Sequence, residues 1–184
     1  MSYVLTSDYA ALPAALLPIA KEHLRVLFND EDASITRMIG YAIGYFENFC
    51  DVSVFGGSAV WSPVLTTGAS AYEIPTQLRP VSSFTVTSVL GGGTVSSLYE
   101  LRSSSPVAPI WLARKDGTAF HTDAVITLAI GYAGAAAIPP SVLGTIMRVT
   151  ATLYENRESI SAVSLEQMPF WLNDLMGAHW VPRA

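Results

Sequence analysis

Residues 124–147 contain no charged side chain, and this stretch limits the folds open to the chain more than any other. A helix needs about 20 apolar residues to cross a bilayer, so length alone would allow a membrane span. The internal punctuation argues against one. Gly131, Gly134, Pro139 and Pro140 interrupt the run, and broken backbone in lipid leaves N–H and C=O groups without partners. The first part, Ala-Val-Ile-Thr-Leu-Ala-Ile over 124–130, is rich in β-branched residues and reads as a strand. It ends in Gly131-Tyr132-Ala133-Gly134. Pro139 and Pro140 then mark a helix start, where the missing N–H would have had no intrahelical partner anyway. Leu143, Ile146, Met147, Thr150, Leu153, Tyr154 and Arg157 fall on one face of that helix, which closes on Leu153-Tyr154-Glu155-Asn156-Arg157-Glu158.

The segments before this point have a different texture. Residues 1–15 show little periodicity and read as an arm. A short helix is expected from Pro18 to about Val26, with Pro18 in its first turn. Asn29-Asp30-Glu31-Asp32 is an N-cap signal for a longer helix running to about Cys50. Its apolar residues Ile35, Met38, Ile39, Ala42, Ile43, Phe46, Phe49 and Cys50 form one stripe. Gly40 and Gly44 lie one turn apart. Each costs ~1 kcal/mol relative to Ala in a helix interior, so they are expected to mark close helix packing.

From 52 to 134 the period falls to two, with turn signals at Gly91-Gly92-Gly93 and Lys115-Asp116-Gly117-Thr118. About five strands are expected there. After the helix at 140 comes a shorter one, with Pro169 near its start, Trp171, Leu172, Leu175 and Met176 as its apolar face, and Gly177 as its C-cap. The fold class that follows is α+β: an antiparallel helical bundle from the N- and C-terminal helices, with an inserted β-rich block. The 184 residues suit a single domain. Its parts are N-terminal helices over 1–51, a β-rich insertion over 52–134, C-terminal helices over 138–177 and a tail over 178–184. The expected helical core sets Ile35, Ile39, Ile43 and Phe46 against Leu143, Met147, Leu153 and Tyr154.

Composition then narrows the function classes. Apolar residues make up 51% and charged residues 14%, against an ordinary ~25% charged. With a membrane span disfavoured, the simplest account is a surface covered by neighbouring subunits. The formal net charge is −5, and only Arg114-Lys115 places two basic residues side by side. No stripe suited to phosphates is visible. Cys50 is the one cysteine, so the chain holds no internal disulfide framework. Met1-Ser2-Tyr3-Val4 followed by Asp8 lacks the basic start of a secretory signal.

No catalytic constellation emerges. His23, His121 and His179 share no short metal-ligand spacing. Gly91–Gly93 is followed by neither Lys-Ser/Thr nor a helix start, so a hairpin turn is the better reading than a phosphate loop. No Gly-x-Ser-x-Gly elbow is present. Cys50 ends an apolar stripe and reads as a small buried hydrophobe. Glu155 and Glu158 sit three apart on a helix, where solvated or ion-paired roles are the default. Neither a cofactor nor a metal is expected. Trp180, within His179-Trp180-Val181-Pro182-Arg183, either anchors an interface or folds back on its own helix.

The order of these elements resembles the head–tail connector (adaptor) proteins of tailed bacteriophages. The resemblance rests on the strand ending Gly131-Tyr132-Ala133-Gly134, the Pro-marked helix start and the closing Leu-Tyr-Glu-Asn-Arg-Glu. It extends to Leu24-Arg25-Val26 with its acidic cap, Tyr45-Phe46-Glu47-Asn48-Phe49-Cys50, Arg79-Pro80-Val81-Ser82-Ser83-Phe84 and Tyr99-Glu100-Leu101, covering roughly 17–176. It implies a non-enzymatic virion protein, made in the host cytoplasm and placed at the head–tail interface. It implies a dodecameric ring on the portal protein that meets a stopper or tail-terminator protein. Genomic DNA would pass through its lumen without specific binding. The family's terminal segment docks on the portal, which implies that role for His179, Trp180, Val181, Pro182 and Arg183. This tail departs from the short basic, Tyr-containing tail of many relatives. The rival expectations are another virion component, such as a tail terminator or decoration protein, and a small α+β enzyme or ligand-binding domain.

Overall fold

The computed structural model describes residues 2–7, 9–62, 68–88, 91, 93–103, 109–156 and 177. In chain order the elements are β1 (Ser2–Ser7), α1 (Ala11–Leu24), α2 (Asp32–Cys50), β2 (Gly57–Ser62), β3 (Ala71–Glu73), β4 (Val81–Ser88), β5 (Gly93–Thr94), β6 (Tyr99–Arg102), β7 (Trp111–Arg114), β8 (Ala124–Ile130) and α3 (Pro140–Glu155). The fold is α+β. Strands β1-β2-β8-β4-β5 form one antiparallel sheet, and β3-β7-β6 form a second.

Two apolar cores account for this division. One gathers α1, α2 and α3 around Leu16, Ile35, Ile39, Ile43, Phe46, Val142 and Ile146. The other lies between the sheets, with Trp61, Val86, Ile126 and Leu128 from the first and Tyr99 and Leu112 from the second. Strand β8 is central to the larger sheet. Ile126, Leu128 and Ile130 alternate inward, which gives the period-two pattern of one buried face. The uncharged run 124–147 is therefore a central strand over 124–130, a connection over 131–139 and the first two turns of α3. No helix among the described residues is long and apolar enough to cross a membrane.

The N-terminal segment differs from expectation. Residues 2–7 are a strand paired antiparallel with β2, Ser2 opposite Ser62 and Ser7 opposite Gly57. The helix after it starts at Ala11, and Pro18 lies inside it rather than in its first turn. A proline there costs ~3 kcal/mol or more. Leu12, Leu16 and Ala20 are buried one turn apart. Each buried leucine returns about 1.5–3 kcal/mol, so packing outweighs the lost bond. The chain thus leaves the sheet after β1, builds two helices and returns to pair β2 beside β1.

The acidic cluster before α2 also acts differently from a side-chain cap. Glu31 occupies the cap position without a capping bond. Its carboxylate accepts the Tyr154 hydroxyl at 2.6 Å, joining the start of α2 to the end of α3. Asp32 pairs with Lys21 of α1 at 2.6 Å. Gly91 and Gly93 lie at the β4–β5 hairpin, with Thr87 opposite Thr94 and Ser88 opposite Gly93. The 115–118 turn separates strands of different sheets, and more strands form than the five expected. Gly177, expected to cap a helix, is itself helical. The helix expected around Trp171 lies outside the described residues.

Two glycine expectations fail. A Cβ on Gly44 would meet nothing within 4 Å, and one on Gly40 would only touch Pro13 Cγ at 3.9 Å. Neither marks a close helix crossing. Gly131 does mark a close approach. Its φ is +68°, and a Cβ there would lie 2.1 Å from Phe55 O. We expect Gly131→Ala to destabilise the fold by at least about 1–3 kcal/mol through left-handed strain alone. Gly44→Ala should instead stabilise it by up to about 1 kcal/mol. Phe46→Ala should cost ~3–5 kcal/mol. Chemical denaturation of the three variants checks the ranking, and a Gly131→Ala protein as stable as the parent would contradict it.

Candidate assembly surfaces

The residues that could carry chemistry are dispersed. His23 is exposed on α1, while His121 is half-buried with its Nδ1 2.5 Å from the Tyr99 hydroxyl. His179 lies outside the described residues. Cys50 is fully buried, and burial pushes its thiol up to about 12, so it is not a thiolate at neutral pH. Glu155 is exposed at the end of α3, and Glu158 lies outside the described residues. Among the described residues no group of three or more His, Cys, Asp or Glu could hold a metal ion.

A groove of about 460 Å³ runs between the start of α1 and the segments at 56–57 and 129–134. Among the described residues its only polar side chains are Ser82 and Tyr132. The rest is Ala, Gly, Leu and Ile, so it offers neither a nucleophile with a base nor a charged anchor. Burial raises the Tyr132 phenol above its ordinary value, which keeps it neutral.

The basic residues are largely committed to local partners. Lys21 pairs with Asp32, Arg79 with Glu73, Arg102 with Glu100 and Arg114 with Asp116. Arg79 is buried and also donates to Ile74 O at 2.8 Å, which fixes the turn before β4. Among the described residues these pairs leave no basic stripe like those that track phosphates.

The exposed apolar residues are more distinctive. Leu27 is 94% exposed and Phe28 55% exposed, at the connection between α1 and α2. Tyr41 projects from α2 at 65%. Strand β1 exposes Tyr3, Val4 and Leu5, with Val4 at 68%. Contiguous apolar patches mark interaction surfaces, whereas single exposed apolar residues are ordinary. Sequence periodicity pointed to none of them. Leu27-Phe28 was detectable only as an apolar pair sitting beyond a helix end.

The residues named from the sequence are placed as follows. Ile35, Ile39, Ile43 and Phe46 are buried in the helical core. Met147 is buried with them, whereas Leu143, Leu153 and Tyr154 are half-buried against it. The buried face of α3 is turned toward Val142, Thr145, Ile146, Val149 and Thr150. Thr145 and Thr150 enter it because each hydroxyl donates to a carbonyl one turn back, Ser141 O and Ile146 O, at 2.9 Å. His179, Trp180, Val181, Pro182 and Arg183 lie outside the described residues.

The two cores are joined by backbone. Ser53 N donates to Arg79 O at 2.6 Å, Tyr132 N to Val54 O at 3.2 Å and Gly131 N to Pro80 O at 2.9 Å. Glu47 Oε1 accepts from Val54 N at 2.6 Å and Phe55 N at 2.9 Å. Asp51, left-handed at the end of α2, accepts from Thr76 Oγ1 and from Gln77 Nε2 at 2.9 Å. The junction therefore holds the exposed faces of helices and sheet in a fixed relation.

Glu47 gives this junction a pH dependence. Burial raises its carboxyl above the ordinary glutamate value, and the two backbone bonds pull it part of the way back. A carboxyl whose folded pKa is raised contributes fully below its unfolded value and loses that contribution as pH rises through the folded value. Stability should therefore fall across the window just above the ordinary glutamate range. Denaturation against pH should show this fall reduced in Glu47→Gln. Glu47→Ala should cost about 1–3 kcal/mol, because two backbone N–H groups lose their acceptor. An unchanged pH profile in Glu47→Gln would contradict this role.

Neither a family model nor a curated protein matches the chain. Solved structures do match it. A chain in the neck of an empty GTA particle, computed with C6 symmetry, aligns with a TM-score of 0.71 at 16% identity, covering 100% of this chain and 97% of that one. A chain in the virion of a native gene transfer agent (GTA) particle aligns with a TM-score of 0.69 at 17% identity, covering 98% and 97%. A chain in the neck of a native GTA particle, computed with C12 symmetry, gives 0.68 at 19% identity, again covering 98% and 97%. The chain shares one fold with these chains from end to end.

Proposed function

We propose that this chain is a structural subunit of the neck of a phage-like particle, a head–tail connector that forms a ring between the portal and the stopper or tail. The observation carrying this reading is the end-to-end match to a neck chain at a TM-score of 0.71, with almost the whole of both chains covered. A solved neck computed with C12 symmetry supports a dodecameric ring. The matched chains belong to particle necks and a virion, which supports a non-enzymatic role. The exposed Leu27, Phe28 and Val4 support burial against neighbours.

In this reading the ring extends the DNA channel. The net charge of −5 suits a conduit that must not retain phosphates. The N- and C-terminal helices form an antiparallel helical bundle in this reading. The tail at 178–184 docks on the portal through Trp180.

Four measurements test this. Imaging of assembled particles should find one copy per portal subunit, and one or two copies per vertex would refute the ring. Particles made without the protein should stall as DNA-filled heads lacking tails, whereas tails of abnormal length would point to a tail terminator. Deleting 178–184 should leave the fold intact and block joining. Trp180→Ala should weaken attachment by at least ~2 kcal/mol. Normal joining by the truncated protein would make the tail dispensable.

A further inference from the structure

Open sheet edges distinguish the surfaces of this molecule from one another. An edge strand presents a row of unpaired N–H and C=O groups, and proteins usually guard it with charge, proline or a bulge. The smaller sheet ends in β3 and β6, which carry Glu73 and Glu100 with Arg102. Strand β1, at one side of the larger sheet, is Ser-Tyr-Val-Leu-Thr-Ser and has no such guard. Its residues 3–6 are all exposed.

The other side of that sheet is β4, covered only in part. Thr87 and Ser88 pair with β5. Val86 spends its outward groups too, its N–H on Ser96 Oγ at 2.9 Å and its C=O on Val95 N at 2.8 Å. A bulge between Val81 and Ser83 guards the start of the strand. Between these lies Ser83–Thr85, with no second strand partner among the described residues. No charged residue occurs from Pro80 to Tyr99.

We propose that β1 of one copy adds to the open Ser83–Thr85 stretch of β4 in the next copy, so that the larger sheets of successive copies run together. This rests on the preceding reading in taking copies of this chain as neighbours. The occupant is a second copy because the same sheet carries both halves of the contact, on opposite sides. Using one half leaves the other half free on each outer subunit, so the contact is heterologous and propagates until a ring closes. Electrostatics selects the same pair. Strand β1 and Ser83–Thr85 are both uncharged, whereas β3 or β6 as acceptor would bring Glu73, or Glu100 and Arg102, into the new seam. Two β1 strands paired across a two-fold would instead end at a dimer.

Cysteine cross-linking decides between these arrangements. Single cysteines replace Val4, Leu5 or Thr6, and are combined with a cysteine at Ser83 or Thr85 in the full-length chain. These positions cover both faces of β1 and the exposed face of the β4 edge. Buried Cys50 is retained, and thermal melting confirms that each variant is folded. The variants are oxidised as concentrated protein and in assembled particles. Chains with both cysteines should give a ladder of disulfide-linked multimers, and a mixture of the two single variants should stop at dimers. Dimers from a β1 single variant alone would overturn the proposal in favour of two-fold pairing. Multimers captured by an amine-reactive cross-linker without any disulfide ladder would overturn it while leaving the ring intact. A monomer under every condition, particles included, would remove both.

Discussion

The crossing of Gly131 over Phe55 is the contact on which the arrangement of this molecule depends. The helical core and the inter-sheet core are separate clusters. They meet where the end of β8 passes so close to the 55–56 segment that a Cβ on residue 131 would lie 2.1 Å from a carbonyl oxygen. A side chain there would push the two halves apart. Around the crossing, Glu47, Asp51 and the carbonyls of Val54, Arg79 and Pro80 take up backbone and side-chain donors. Polar groups at a boundary between two cores must find partners within the protein, and here they do so by tying one half to the other.

The same junction explains why the groove beside it has little chemistry. Close backbone approach demands small residues, so the walls are Ala11, Ala15, Gly56, Gly57, Ala133 and Gly134. Apart from Ser82 and Tyr132, this wall of backbone and small apolar groups presents no acid, base or metal ligand. The ion pairs are mostly local and partly solvated, and exposed pairs of this kind contribute about 0–1 kcal/mol each. Cohesion therefore comes from the two cores, and the surface is left free to carry apolar groups such as Leu27 and Phe28. A subunit with buried lateral faces can carry such groups where a freely soluble monomer would be at risk of aggregation.

Helical and strand periods were readable wherever one face of an element was buried. The stripe Ile35, Ile39, Ile43, Phe46 is buried as its spacing indicates, and β8 alternates as its β-branched run suggests. The Pro139-Pro140 start of α3 is equally local, since a ring that fixes φ and lacks an N–H fits only the first turn without loss. The face of α3 was less legible. Leu143, Leu153 and Tyr154 sit half-buried at the margin, while Val142, Ile146, Met147 and Val149 are buried. Strand β1 left no trace in the pattern. It is exposed on both sides, and alternation is imprinted only when one side is buried.

Pattern and composition carried the α+β class, the positions of α2, α3 and the central strand, the shortage of charge and the lack of a recognisable catalytic motif. These follow from spacing and composition along the chain. Long-range packing makes the N-terminal segment an edge strand, sets Glu31 on Tyr154 rather than on its own helix start, and brings Gly131 rather than Gly44 against backbone. Gly44 and Gly131 are the same residue in sequence. One faces open space and the other a carbonyl from a segment 75 or so residues earlier, and that difference exists only once distant backbone has been brought together.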